Sequence, residues 1–304
     1  MTRSTRLRRV REFVFLLIFA LGALVASSPA QISDPSPYPS PSPSPAATPA
    51  PSLEKHFFTN LLKDQYGIWT FPLRLHKDDW KWGVPLAAAS IVLLNTDEPT
   101  SHALHYDKTR NDISKAISLG GSAYATVGSA IGIYAVGRAT HNARARETGI
   151  LSLEALINNG IVTQVVKTVA QRPRPLEDNG EGEFFVHGSS FFSGHSSSIW
   201  TLAAVVNDEY GKRHPWARYG MFGLATAVSL SRYTGQKHFL GDILIGSAVG
   251  YGIGHFVYLK HHDENLDQTS GPKSMTRLEK YFPQISAGLD HKTRGFQVAM
   301  AWNF

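Results

Sequence analysis

Between residues 83 and 260 the chain alternates apolar stretches with short polar loops, the apolar stretches being 83–95, 115–137, 149–170, 195–209, 216–231 and 239–260. Their lengths and their Ala, Gly, Leu and Val content predict about six helices packed as a bundle, a mainly α fold with a catalytic domain over 83–262. Only 118–137 runs charge-free for 20 residues; the other stretches are shorter or carry Glu154, Asn158, Arg218, Asp242 or His255. Together with a slightly negative mean hydropathy, this pattern favours a water-exposed bundle that docks on a membrane over six full spans.

The flanks carry other patterns. Residues 54–82 are amphipathic and aromatic (Phe57, Phe58, Tyr66, Trp69, Phe71, Trp80, Trp82) and read as a lid on the domain, or as a segment lying at a membrane interface. After a linker at 263–283, residues 284–304 switch to period two, with Phe296, Val298, Met300, Trp302 and Phe304 on one face and a polar turn around Lys292–Gly295. That pattern predicts a small C-terminal β-hairpin, which caps the domain or pairs with another chain, since two strands cannot close a barrel. Residues 31–53 are a Pro/Ser/Ala tract, an extended tether or a leader without a role of its own.

Charge changes the picture at one place. Of the formal net charge of +6, residues 1–30 hold +4 (Arg3, Arg6, Arg8, Arg9 and Arg11 against Glu12), which leaves +2 for the remainder. No other stretch is a basic run interleaved with aromatics, so nucleic acid is not an expected partner. The same N-terminus has a basic start, an apolar run of 14 residues from Phe13 to Ala26, and small residues ending at Ala30. That is the layout of a signal peptide, or of an N-terminal anchor, and it predicts export to the periplasm or cell envelope. The chain has no cysteine, which excludes disulfides, thiolate metal sites and a Cys nucleophile.

Three clusters at the ends of predicted helices carry candidate chemistry. In the first, Lys167 lies on the last turn of a helix that runs out at Arg-Pro-Arg174-Pro175; a planar guanidinium and a point-charge ammonium there suit phosphate oxygens. In the second, Ser193-Gly194-His195 opens a helix, where a cap hydroxyl, free N–H groups and a glycine make room for an anion. His195 beside that anion suits general-acid work. In the third, Arg232 precedes His238 and Asp242, which are four residues apart and share a helix face. A carboxylate on one imidazole nitrogen leaves the other as a nucleophile. Each cluster alone is also a common structural feature; the three in order are not. No Asp/Glu/His group with metal-ligand spacing lies outside them, Asp178, Glu181 and Glu183 read as a solvated loop, and the His261-His262 pair reads as surface or structural.

In that order the clusters resemble the type 2 phosphatidic acid phosphatases and their relatives, the vanadium haloperoxidases, whose pattern is Lys-x6-Arg-Pro, Pro-Ser-Gly-His and Ser-Arg-x5-His-x3-Asp. Every fixed position matches except Phe192, which stands where the family has proline. The resemblance covers about 83–260. It implies a metal-independent phosphatase, with no cofactor, acting on phosphate or pyrophosphate monoesters of lipid, polyprenyl or small soluble type. Lys167, Arg174, Arg232, Ser193 and Gly194 would hold the phosphoryl group, His238 oriented by Asp242 would form a phosphohistidine, and His195 would act as acid and then base. Vanadate is then an expected inhibitor. Under the haloperoxidase alternative the same pocket would hold vanadate as cofactor, and a third reading is a non-catalytic envelope protein that binds a partner through its linker and hairpin.

Overall fold

The computed structural model describes residues 53–74, 76–177, 180–268, 284–290 and 295–301, and the chain divides into two units at His262. The expected segments 1–30, nearly all of 31–53, and most of 263–283 lie outside the described residues.

The first unit holds eight α-helices among its described residues: α1 (Leu53–Thr70), α2 (Trp80–Ala103), α3 (Lys108–Ser118), α4 (Ala123–Ala139), α5 (Ala143–Ala170), α6 (Gly194–Tyr210), α7 (Pro215–Thr234) and α8 (Leu240–His261). This exceeds the six expected, for identifiable reasons. The apolar run 115–137 is broken by a 3-10 turn at Leu119–Gly121, after which Ser122 starts α4 by accepting a hydrogen bond from Ala125 N (3.2 Å). Gly121 is required there, because a Cβ would stand 2.8 Å from the His195 carbonyl oxygen and 2.5 Å from Val228. The stretch read as 83–95 continues eight residues further, because the polar Asp97 that would mark a loop is instead buried in an ion pair.

Helices α6 and α8 pack backbone to backbone. Gly246, Gly250 and Gly254 form a stripe at four-residue spacing on α8; a Cβ at Gly250 would lie 2.0 Å from the Ser197 carbonyl oxygen. Thr201 Oγ1 crosses the same seam to the Gly250 carbonyl (3.0 Å). Beside it sits the main core, where Phe191, Phe192, Val162, Val166, Val249 and Ile253 are nearly fully buried. Helix α1 is seated on this body by Ile68 and by Gln65 Nε2 donating to Asn158 Oδ1 (2.8 Å), with Phe58, Leu62 and Tyr66 facing outward.

Three helical runs are long and apolar enough to cross a membrane: Lys108–Ala139 taken through its 3-10 turn, α5 and α8. The outer face of α5 presents Ile157, Ile161, Val165 and Val169 at four-residue spacing, 38–46% exposed. A line of aliphatic side chains turned outward is a lipid-facing signature, which agrees with the expected membrane association and makes the bundle less water-exposed than its mean hydropathy suggests. The average misled because polar residues inside the bundle, such as Glu154 and Asn158 at 0% exposure, lower it without facing solvent.

In the second unit, a single helical turn at Asn265–Gln268 precedes two antiparallel strands, β1 (Gln284–Asp290) and β2 (Gly295–Ala301), in register from Gln284↔Ala301 to Asp290↔Gly295. The turn 291–294 and the aromatic end 302–304 of the expected hairpin lie outside the described residues.

Candidate active site

Three chain segments meet at one end of the first unit. Helix α5 ends at Ala170 with Gln171 in the left-handed conformation (φ 46°), which turns the chain into the loop that carries Arg172 and Arg174. Lys167, on the last turn, donates through Nζ to the carbonyls of Ser189 and Ser190 in the loop that returns to α6. Ser193 caps α6, accepting from Ser196 N (3.4 Å) and Ser196 Oγ (3.0 Å). Two acceptances fill the lone pairs of its hydroxyl and leave its own O–H to donate elsewhere. Behind it, Ser193 N donates to the Asp242 carbonyl (3.1 Å), which ties the start of α6 to the start of α8. At the end of α7 the chain folds back on itself, Lys237 N and His238 N both donating to the Arg232 carbonyl (2.9 and 3.2 Å).

Lys167, Arg174, His195, Arg232 and His238 lie within one electrostatic neighbourhood. Burial, then the charges of Arg232, His238, Lys167 and Arg174, push His195 down to about 4. Burial also brings His238 down to about 4, against the pull of Asp242, with Lys167 and Arg232 adding to the depression. Arg232 is lowered to about 10 by burial and by Arg174. The side chain of Lys167 reaches Gly194, where an added Cβ would stand 3.9 Å from Lys167 Cε. Arg174 Nε and Arg232 Nε are buried and have no hydrogen-bond partner. Orphaned guanidinium donors are costly unless an acceptor completes them, and a tetrahedral oxyanion offers the acceptors this pocket lacks.

The expected direct bond between His238 and Asp242 is not what the structure contains. Nδ1 and Oδ2 stand 3.6 Å apart, and Ser190 Oγ fills the gap, 3.2 Å from Nδ1 and 2.5 Å from Oδ2. An ionised carboxylate only accepts, so the Ser190 O–H donates to Asp242 and its oxygen accepts from His238 Nδ1–H. The proton is thereby held on Nδ1 and the lone pair on Nε2. Asp242 also accepts from Phe239 N (3.2 Å) and Arg172 NH1 (2.7 Å). Arg172 reaches Asp97 as well (3.0 Å), donates to the Gly182 carbonyl (2.9 Å) and lies over the rings of Phe239 and Phe184. Burial, with the charge of Asp242, raises Asp97 to about 6 despite Arg172.

Residues 148–266 match the family model described as the PAP2 superfamily. These residues are similar to a PAP2 domain. Over 70 residues the chain is 33% identical to a lipid A 1-phosphatase of Porphyromonas gingivalis, an alignment that takes in 23% of this chain and 16% of the relative, so the chain spans only a small part of that protein. A transmembrane phosphatidylglycerolphosphate phosphatase of PAP2 type from Bacillus subtilis, known as a crystal structure, is similar at 21% identity with a TM-score of 0.46, over 62% of this chain and 98% of that one.

Around this site, sequence reading missed Arg172, Ser190 and Asp97. Arg172 was hidden by its own motif, since Arg172-Pro173 and Arg174-Pro175 look alike and spacing selects the second. Ser190 sits three residues ahead of Ser193 with nothing in the pattern to mark it. Phe192, the departure from the family pattern, is 0% exposed and joins the main core, so the exchanged side chain fills packing space instead of the pocket. His261 and His262, read as surface or structural, reach carboxylates at the opposite end of α8.

Proposed function

We propose that this protein hydrolyses phosphate or pyrophosphate monoesters of membrane lipids through a phosphohistidine on His238, without a catalytic metal. The observation that carries the reading is the pair of buried, uncompleted guanidinium donors on Arg174 and Arg232 beside Lys167, Ser193 and two neutral imidazoles. The apolar exterior and the lipid phosphatase among its relatives support a lipid substrate.

In this mechanism Lys167, Arg174 and Arg232, with the Ser193 hydroxyl and Gly194 N–H, hold the phosphoryl oxygens where charge accumulates in the transition state. Nε2 of His238 attacks phosphorus in line, forming the P–N bond as the bond to the ester oxygen breaks. His195 gives that oxygen a proton. The protein's own charges hold His195 neutral, so its acid form is supplied by the substrate: a phosphate dianion brings negative charge to a site otherwise ringed by cations. Neutral again after the transfer, His195 takes a proton from water, which attacks phosphorus and releases His238.

The test is to mix the detergent-solubilised protein with a ³²P-labelled lipid phosphate, quench in alkali, and look for label on protein. An acid-labile, alkali-stable adduct that disappears in His238→Ala, with hydrolysis reduced by roughly 10⁴-fold or more, is the expected result. A His238→Ala variant that hydrolyses substrate at the parent rate sinks the nucleophile assignment. The same preparation, given vanadate and a halide with peroxide, separates the haloperoxidase alternative.

A further inference from the structure

The opposite end of the bundle holds a second buried polar cluster that the phosphatase reading does not use. Asp64 of α1, Glu154 of α5 and His261 of α8 bring one donor atom each within 4.8 Å of one another. His261 Nε2 stands 3.0 Å from each Asp64 oxygen and 3.5 Å from Glu154 Oε1. Asp64 and Glu154 are both 0% exposed. Lys260 Nζ bonds Asp64 Oδ1 at 2.7 Å and is 36% exposed. Glu154 is the anomaly: both of its carboxylate oxygens are buried without a hydrogen-bond partner. A buried carboxylate with no donor is among the more costly arrangements a fold can carry.

We infer that Asp64, Glu154 and His261 form a structural binding site for a zinc-like divalent cation that ties α1 to α5 and α8. Two carboxylates and an imidazole are a common oxygen–nitrogen donor set for such an ion, and the one partly exposed Lys260 leaves part of their negative charge for it to offset. The spacing agrees. Metal–ligand bonds of about 2.0–2.2 Å at tetrahedral angles place neighbouring donor atoms about 3.3–3.6 Å apart; Glu154 Oε1 lies within that range of His261 Nε2 at 3.5 Å, and the Asp64 oxygens lie slightly inside it at 3.0 Å. Lys260 does not block the position, since it holds Oδ1 of Asp64 from the solvent side and leaves Oδ2 facing the imidazole. The ion would stand in for the proton that Glu154 otherwise shares with Asp64.

A neighbouring cluster shows what the alternative looks like. Glu147, Glu209 and His262 lie equally close together, but there Arg144 is bonded to Glu209 at 2.6 Å with its side chain 14% exposed. A guanidinium already occupies that site's charge balance, and no cation is assigned to it.

The test uses the whole protein in detergent, stripped with a chelator and then titrated with zinc or with cobalt(II). Zinc is expected to raise the apparent unfolding temperature by several degrees, and cobalt to show the visible absorption of tetrahedral coordination. Glu154→Gln and Asp64→Asn, which keep the side-chain volume, should each weaken binding at least tenfold while phosphatase activity stays at the parent level. His261→Gln should remove the cobalt spectrum. Absence of any zinc-dependent shift in the parent overturns the site. So does a shift that survives unchanged in Glu154→Gln, because the ion would then be held elsewhere. Neither result bears on the phosphohistidine, which the labelling experiment tests by itself.

Discussion

Helices α5 and α8 each run the length of the bundle, and each joins two buried polar clusters of opposite character. At one end Lys167, Arg174 and Arg232 crowd together with donors left over. At the other, roughly 30 Å away by the rise of α8, Asp64, Glu154, Glu147 and Glu209 gather with Lys260, Arg144 and two histidines. The helix directions explain the division. The N-termini of α6 and α8 point into the first cluster, adding partial positive charge where an anion is wanted; the N-terminus of α5 and the C-terminus of α8 meet the second, where acids and bases are interleaved. Burial is common to both ends, so burial alone does not make a catalytic site. What differs is the charge left over: cations with spare donors at one end, and buried carboxylates in excess of Lys260 at the other.

Within the first cluster the acids are the exception, and they are the part that does cancel. Arg172 neutralises Asp242 and Asp97 together. Its replacement by Met should give the largest stability loss of any change discussed here, about 3–5 kcal/mol, read as a lower apparent unfolding temperature in detergent. An Arg172→Met protein as stable as the parent would show that the buried acids shed their charge instead of needing a partner.

Ser190→Ala tests the link between Asp242 and His238, the nucleophile of the proposed mechanism. Loss of one buried, charge-assisted hydrogen bond is worth about 1–3 kcal/mol, or roughly 10- to 100-fold in kcat, with KM little changed and partial rescue in Ser190→Thr. The parent's kcat/KM should show an acid limb near pH 4, because His238 is depressed to about 4 and keeps its attacking lone pair above it. In Ser190→Ala the proton is no longer fixed on Nδ1, so kcat should fall across the whole pH range. A mutant that loses stability but keeps kcat would reduce Ser190 to a packing residue.

The smallest effect is expected at the far end. Lys260→Met removes a partner that is more than a third exposed, while His261 stays on both Asp64 oxygens, so stability should change by less than about 1 kcal/mol. A loss as large as that at Arg172 would erase the distinction between the two ends.

What the sequence made legible follows the same division. The residues with spare charge announce themselves, because Lys167, Arg174, His195, Arg232 and His238 stand at helix ends in a fixed order. The residues that cancel do not. Arg172 meets its acids across 70 and 75 positions of chain, and Ser190 meets Asp242 across 52; no local periodicity reports such pairs. Buried polar residues also disguised helices, since the apolar stretch that marks α2 stops at residue 95, short of Asp97, and Glu154 and Asn158 lowered the apparent hydropathy of the bundle. The break at Leu119–Gly121 was invisible for the opposite reason: an uninterrupted apolar run reads as one helix until a neighbouring backbone, here that of His195, demands a turn.

The glycine seam between α6 and α8 has a mechanical consequence. With carbonyls of one helix resting on the bare backbone of the other, the two behave as a single strut, and His195 and His238 are mounted near the same end of it. The separation of the backbones that carry these two imidazoles is therefore set by the scaffold.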